Sequence, residues 1–309
     1  MDFEYSADQQ AILDAVGSLL EQHAGPARAI ALQDKDGYDT ELDTALREAG
    51  FADVARGDGT GPLEAVLIAE AVARAGGVCA FAASAVVASA VSDSSIEGPV
   101  ALTLAEPGGP VRFAASARSL LVLDRAAGEA RVVPVQPGEC EPVRSSFGYP
   151  MGRPPADLSK RGESLGPGSA ERLERWWRLA LAVEAVGTMA ACLEVTVAYL
   201  SERRQFGRAI GSFQAVQHRL ADCAIQIEAS RWLVREAAFH AAPEEAAAAA
   251  ASYALAAAGD VFSETHQLSG AIGFTREHDL HVFSMRLQAL RIELRGHLRA
   301  LAAARWGVA

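Results

Sequence analysis

Two adjacent arginines, Arg203 and Arg204, stand immediately before Gln205-Phe206-Gly207 in the stretch SERRQFGRAIGSFQ, residues 201–214 of a 309-residue chain with formal net charge −11. A guanidinium is planar and presents paired N–H donors, so it can grip an oxyanion through two parallel hydrogen bonds. Gly207 and Gly211 allow backbone geometry and a closeness of approach that a Cβ would obstruct. The same residues also suit a plainer role. Arginines in a last helical turn followed by glycine form an ordinary helix stop, favoured by the helix dipole by about 0.3–1 kcal/mol. An anion site and a helix end both remain open on spacing alone.

Other chemistry-bearing residues say less. His278, Asp279 and His281 could be offered as metal ligands, but no third cluster accompanies them. Capping and surface hydrogen bonds are the better account, and no metal is expected. Trp176 and Trp177 sit on a helical pattern, where an aromatic pair belongs to a core or an interface. The cysteines, Cys79, Cys140, Cys192 and Cys223, make no C-x-x-C, which argues against structural zinc. Three of them lie in apolar helical contexts and read as small buried hydrophobes, consistent with a reduced, cytoplasmic protein. No Ser-His-Asp arrangement, P-loop or G-x-G-x-x-G fingerprint is evident.

Composition narrows the field. Half of the residues are hydrophobic, enough for two or three packed units. With 39 acids against 28 bases and no basic tract, a nucleic-acid partner is not expected. The opening MDFEYSADQQ is acidic and polar, unlike a secretory signal. The alanine run 246–258 is too short and too weakly hydrophobic to span a bilayer.

The elements that must hold these residues follow from periodicity. Residues 1–96 read as a helical domain: a capping box at Ser6 and Gln9, a helix from Thr40 to the stop at Gly50, a third from Pro62 to Gly76-Gly77, and an Ala-rich fourth from Val78. Residues 97–152 switch to short β-prone runs, with a hairpin turn at 126–129. Residues 153–169, rich in Pro, Gly and Ser, read as a linker. From 170 to 309 the pattern is a four-helix bundle. Its helices run over 171–204, from Ser212 as N-cap to 241, from Pro243 to 269, and from a Thr275 cap without interruption from 278 to 304. The fold class is mainly α with a small β domain.

In that order, DFEYSADQQAILDAVGSLLEQHA, YLSERRQFGRAIGSFQAVQHRLAD and QLSGAIGFTREHDLH resemble three segments of the acyl-CoA dehydrogenase family. The resemblance implies FAD bound where subunits meet, and α,β-desaturation of an acyl-CoA thioester. It implies that Arg203 meets the FAD pyrophosphate, that Gln205 and Phe206 line the cofactor, and that Gln214 approaches its adenine half. Gln267 and the Gly270-Ala271 turn would meet the ADP part from a neighbouring subunit. Desaturation needs a carboxylate to take the α-proton, and the family places that glutamate in one of two positions. One matches Trp177, with Glu174 one turn earlier; the other matches Leu294, with Glu293 beside it. Ala271 replaces a glycine of the usual pair, the β unit is short, and Leu104-Ala-Glu-Pro-Gly-Gly matches only the start of the usual flavin-contact motif. The combination is most similar to the smaller subunit of actinobacterial heterotetrameric enzymes, in which a larger homologous chain supplies the glutamate within an α2β2 complex acting on steroid side chains. Two alternatives stand beside it: a self-sufficient enzyme using Glu293 or Glu174, and a flavin-free scaffold of the same fold.

Overall fold

The computed structural model describes residues 4–35 and 37–307, so residues 1–3 of the acidic opening lie outside it. Helix α1, Ala7–His23, starts with the expected capping box: Ser6 Oγ accepts from Gln9 N at 3.1 Å, and Gln9 Oε1 accepts from Ser6 N at 3.0 Å. Helix α2, Pro26–Gln33, has no counterpart among the expected elements. Its signal is Pro26 at the first helical position, where the missing N–H costs nothing. Helix α3, Thr40–Glu48, is capped by buried Asp39, which accepts from Leu42 N and from Arg28 of α2 at 2.6 and 2.7 Å. Helix α4, Pro62–Arg74, is followed by a π-helical stretch, Ala82–Ala88, that runs into the short α5, Ser89–Val91.

The β-prone runs form two small sheets. Strands β1 (Val100–Leu104), β3 (Ser119–Asp124), β4 (Glu129–Pro134) and β7 (Glu163–Pro167) lie in the order β1-β3-β4-β7, with β1 and β3 parallel. Strands β2 (Val111–Arg112), β6 (Met151–Arg153) and β5 (Glu141–Val143) form an antiparallel second sheet. Strand β3 is buried along its whole length, which explains its unbroken apolar run. The turn between β3 and β4 falls where expected, with Ala127 N donating to Asp124 Oδ1 and Gly128 at φ 70°. The stretch expected as a linker is built into the sheet: β7 pairs with β4 as its edge strand, and Leu158 is fully buried. Gly162, at φ 68°, makes this possible, because a Cβ there would stand 2.0 Å from Val132 O.

Helix α6, Ser169–Glu202, is the axis of the C-terminal bundle. Its long apolar middle is explained by burial on nearly every side, against α4, α7, α8 and α9. Helices α7 (Gln214–Phe239) and α8 (Glu244–Ser269) follow. Ser212 is not the N-cap of α7; Phe213 holds that position, while Ser212 Oγ donates to Ala209 O and closes the preceding 3-10 turn. Thr275 likewise does not cap a helix. It donates to Ile272 O, and Asp279 precedes α9, Leu280–Ile292. The expected uninterrupted last helix is two helices. The chain breaks after Ile292, with Leu294 at φ 42° and Gly296 at φ 90°, and resumes as α10, His297–Trp306. Gly296 carries the helix-ending signal that periodicity alone passed over.

By length and composition, α6 and the segment Glu244–Phe274 could each cross a membrane. In α6 that apolar stretch is 78% buried within the protein itself. The N-terminal helices are tied to the bundle by charge as well: buried Glu70 of α4 accepts from Arg231 at 2.6 Å and Arg235 at 3.4 Å, both on α7.

Helices α4 and α6 cross at Gly187, where a Cβ would lie 2.3 Å from Glu70 O and 2.9 Å from Ala73 Cβ. Gly187→Ala must push two helices apart, and should lower unfolding stability by about 1–3 kcal/mol. Chemical denaturation of the variant beside the parent chain measures this.

Candidate functional site

Two regions carry chemistry, and the first is a cavity of ≈ 720 Å³ between the β unit and the bundle. Leu104, Val111, Phe147, Trp177 and Ile292 supply apolar lining, Glu293 reaches its wall, and the exposed Arg144 and Arg295 border it. Glu293 is not the solvated helix charge that an uninterrupted helix would make it. It stands at the break between α9 and α10, facing inward. Its Oε1 accepts from Trp177 Nε1 at 2.7 Å, and its Oε2 accepts from Arg112 Nε at 2.9 Å. One position at which the family resemblance looks for a base, Trp177, is therefore in direct contact with the residue beside the other, far away in sequence. The first holds an indole, and each oxygen of the neighbouring Glu293 carboxylate accepts a hydrogen bond.

Arg112 organises this contact. It is buried on β2 and also grips Glu184 of α6 bidentately, at 2.6 and 2.8 Å. Burial opposes its charge, but Glu184 and Glu293 outweigh that penalty and hold its pKa above the ordinary value. Its guanidinium lies over the rings of Phe113 and Tyr149, at 5.1 and 4.9 Å, and burial pushes the Tyr149 phenol up to about 12. Neither Arg112 nor Glu184 had a local signal: one lies in a two-residue strand, the other in the middle of an apolar helix.

Glu174 does not line the cavity. It pairs with Arg125 at 3.1 Å and with Arg178, one turn on in α6. Burial would raise its pKa, but the two arginines outweigh it and hold the carboxyl below its usual range. Arg178 also donates to His297 Nδ1 at 2.9 Å. Arginine has no acceptor, so Nδ1 accepts and His297 is neutral. Burial, then the charge of Arg178, pushes that imidazole down to about 4. Leu294, at the second base position, is buried and apolar.

The second region is one end of the bundle. Arg203 caps α6: its N–H donates to Tyr199 O and its carbonyl accepts from Ile210 N at 2.8 Å. The chain then turns through a hairpin, β8 (Arg204–Gln205) and β9 (Arg208–Ala209). Phe206 at φ 52° and Gly207 at φ 81° form its tip, as a two-residue hairpin with two left-handed positions requires. Phe206 is 90% exposed and meets the ring of Phe213 in a T-shaped contact, at 6.2 Å. Gly211 lets the loop pass α6, since a Cβ there would stand 3.1 Å from Leu200 O. Gln214 opens α7, exposed.

Gln267, Gly270 and Ala271 are also exposed, at the end of α8 and in the 3-10 turn Gly270–Phe274 that follows. One ring contact brings the chain just after this turn to the hairpin's end of the bundle: Tyr199 of α6 meets His278 at 5.1 Å. Within the turn, Phe274 packs back on His266 of α8 at 4.7 Å. The structure thus gathers the arginine hairpin and the glycine turn at one end, while Glu293 and Trp177 sit together at the cavity. Among the described residues, no group of His, Cys, Asp and Glu is arranged to hold a metal.

Residues 170–294 match the family model of the acyl-CoA dehydrogenase C-terminal domain. The chain is 33% identical over 307 residues to acyl-CoA dehydrogenase IpdE2 of Mycobacterium tuberculosis, covering 90% of each. Its fold is similar to that in the ChsE4–ChsE5 complex of Mycobacterium tuberculosis, with a TM-score of 0.78, 22% identity and 97% of each chain covered. It is also similar to a variant of the Tcur3481–Tcur3483 steroid ACAD, with a TM-score of 0.79, 24% identity, and 96% and 97% of the two chains covered.

Two measurements probe the cavity wall. Glu293→Gln removes one of two carboxylates from a buried guanidinium, and should cost about 1–3 kcal/mol of stability in denaturation. The depressed His297 pKa has a defined sign. Its stabilising effect is complete above the unfolded value near 6.5 and is lost as pH falls from there towards about 4, by on the order of 3 kcal/mol. His297→Asn keeps an acceptor for Arg178, and should flatten the pH dependence of the melting temperature in that window.

Proposed function

The chain belongs to the acyl-CoA dehydrogenase family, and we propose that it is the cofactor-sharing, base-less subunit of a heteromeric, FAD-dependent member of that family. The observation that carries this reading is the Trp177–Glu293 contact. A general base must present a free carboxylate oxygen within reach of the proton it removes. Here one base position holds an indole that donates to the carboxylate beside the other, and Arg112 grips that carboxylate from a second side.

The bundle end is suited to the outer half of FAD. Arg203 and Arg204 are exposed and make no ion pair among the described residues, so their donors are available to a pyrophosphate dianion. Phe206 offers a bare aromatic face, and Gln205, Gln214 and Gln267 offer exposed amides to an adenylate group. Gly270 and Ala271 leave the turn low, so that a neighbouring surface can come close. An aromatic ring as exposed as Phe206 is a natural element to be covered by a partner. When bound, FAD supplies the hydride acceptor for α,β-desaturation of an acyl-CoA thioester. This chain's residues orient and retain it, while a larger homologous subunit brings the carboxylate. A heteromeric assembly and a sterol-derived acyl chain draw support from the paired chains of the ChsE4–ChsE5 complex and from the steroid ACAD named above; an α2β2 arrangement is the form we propose for it. A cytoplasmic location accords with four free cysteines.

A second reading has one observation in its favour: Glu293 does border the cavity at a helix break, where a loop carboxylate could serve as base. The two readings part on purified protein. The isolated chain should hold little flavin and have no acyl-CoA dehydrogenase activity, and co-expression with its larger homologue should yield both. A yellow, active homomer whose activity is lost on Glu293→Gln would establish the second reading. A mixed complex devoid of flavin absorbance would leave only the flavin-free scaffold.

A further inference from the structure

The hairpin carries more positive charge than its signature arginine explains. Arg203, Arg204 and Arg208 fall within six positions of a chain with net charge −11, and none of them has a carboxylate partner among the described residues. Adjacent Glu202 is exposed and does not neutralise them. Elsewhere the arginines are largely spent on carboxylates, as with Arg28, Arg112, Arg178 and Arg231.

Arg208 differs from the other two in being held. Its guanidinium carbon lies 3.8 Å from the ring centroid of Phe213. A guanidinium stacked flat on a ring keeps its in-plane N–H donors free at the edges, and the stacking fixes the direction in which they point. Phe213 is itself anchored: its N–H donates to Ile210 O at 3.2 Å, and its carbonyl accepts the first two N–H groups of α7 within reach, Val216 and Gln217, each at 3.0 Å. The hairpin register pairs Arg208 directly with Gln205, so the two side chains stand on the same face. Phe213 also meets the ring of Phe206, so one aromatic side chain supports both the exposed ring and the second guanidinium.

We propose that Arg208 is a further anion-binding residue of this chain, held in place by Phe213, so that the hairpin presents a second oriented guanidinium to the negative charge of the dinucleotide. Phe213 is then a positioning residue that acts through Arg208 and Phe206. The proposal rests on the cofactor-sharing reading above, and commits that reading to a residue to which the family resemblance assigns no role.

The test uses the co-expressed complex with its larger homologue, stripped of flavin and titrated with FAD. Flavin binding by the parent complex comes first; its absence would overturn the cofactor-sharing reading and this inference together. Given binding, Arg208→Gln should raise the dissociation constant for FAD about ten-fold and reduce its dependence on salt, while the melting temperature of the flavin-free complex stays unchanged. Arg208→Lys, which keeps the charge but not the stacked fork, should fall between the two. Phe213→Leu should weaken FAD binding without removing any charge. An unchanged dissociation constant in Arg208→Gln would overturn this inference alone. So would a weaker one accompanied by a matching fall in the melting temperature, which is the mark of a merely structural residue.

Discussion

A single guanidinium joins the β unit of this fold to its helical bundle. Arg112 comes from a two-residue strand of the β unit and is saturated by Glu184 from the bundle's central helix and Glu293 from the break near its end. Removing three charged groups from water costs several kcal/mol each before any pairing is counted. The arrangement is sustained by geometry: a bidentate grip on Glu184, a further hydrogen bond to Glu293, and aromatic rings over the guanidinium. The small sheet is thereby locked to the helices in one orientation, and the cavity wall is set by the same contact.

The cavity and the hairpin answer to different physics. At the cavity, Arg112, Glu184 and Glu293 are paired and inward. At the hairpin, arginines and an aromatic ring stand in the open, at the end of a helix whose interior is closed to water. Glu293 is bound into the structure while Arg203, Arg204 and Arg208 are left free, and that contrast is what a division of labour between two chains would require.

Much of this was legible in the residues. The capping box at Ser6, the hairpin turn before Glu129 and the glycine punctuation after Ser269 all rest on local rules, and local rules survive folding. The arginine stretch was legible because its helix end, turn and glycines are contiguous. Two local expectations failed, the caps at Ser212 and Thr275, whose hydroxyls bond back to Ala209 O and Ile272 O instead; the larger departures were non-local. The Pro- and Gly-rich stretch after Arg153 looks like a linker until Val132, some thirty residues earlier in the chain, gives it a strand to pair with. The last helix looked continuous because Glu293, Leu294 and Arg295 keep a helical pattern, and the left-handed turn at Leu294 has no signature of its own. Arg112 and Glu184 are 72 positions apart, and a pair so distant announces itself only when the chain is folded. The helical pattern assigns Trp177 to a core or an interface, and it is buried within this chain; that its indole nitrogen ends on Glu293 has no signal in the spacing.

The Trp177–Glu293 contact also limits what can stand at 177. A glutamate there would need Glu293 protonated or turned elsewhere, because of two carboxylates at hydrogen-bond distance one is driven to its neutral form. The indole gives Glu293 a donor, and Glu293 in turn gives Arg112 a fixed neighbour. An acid at 177 would set like charge against like charge in a buried corner already balanced around one guanidinium. The indole and the carboxylate therefore hold each other in place, and a further negative charge in that corner would stand unbalanced.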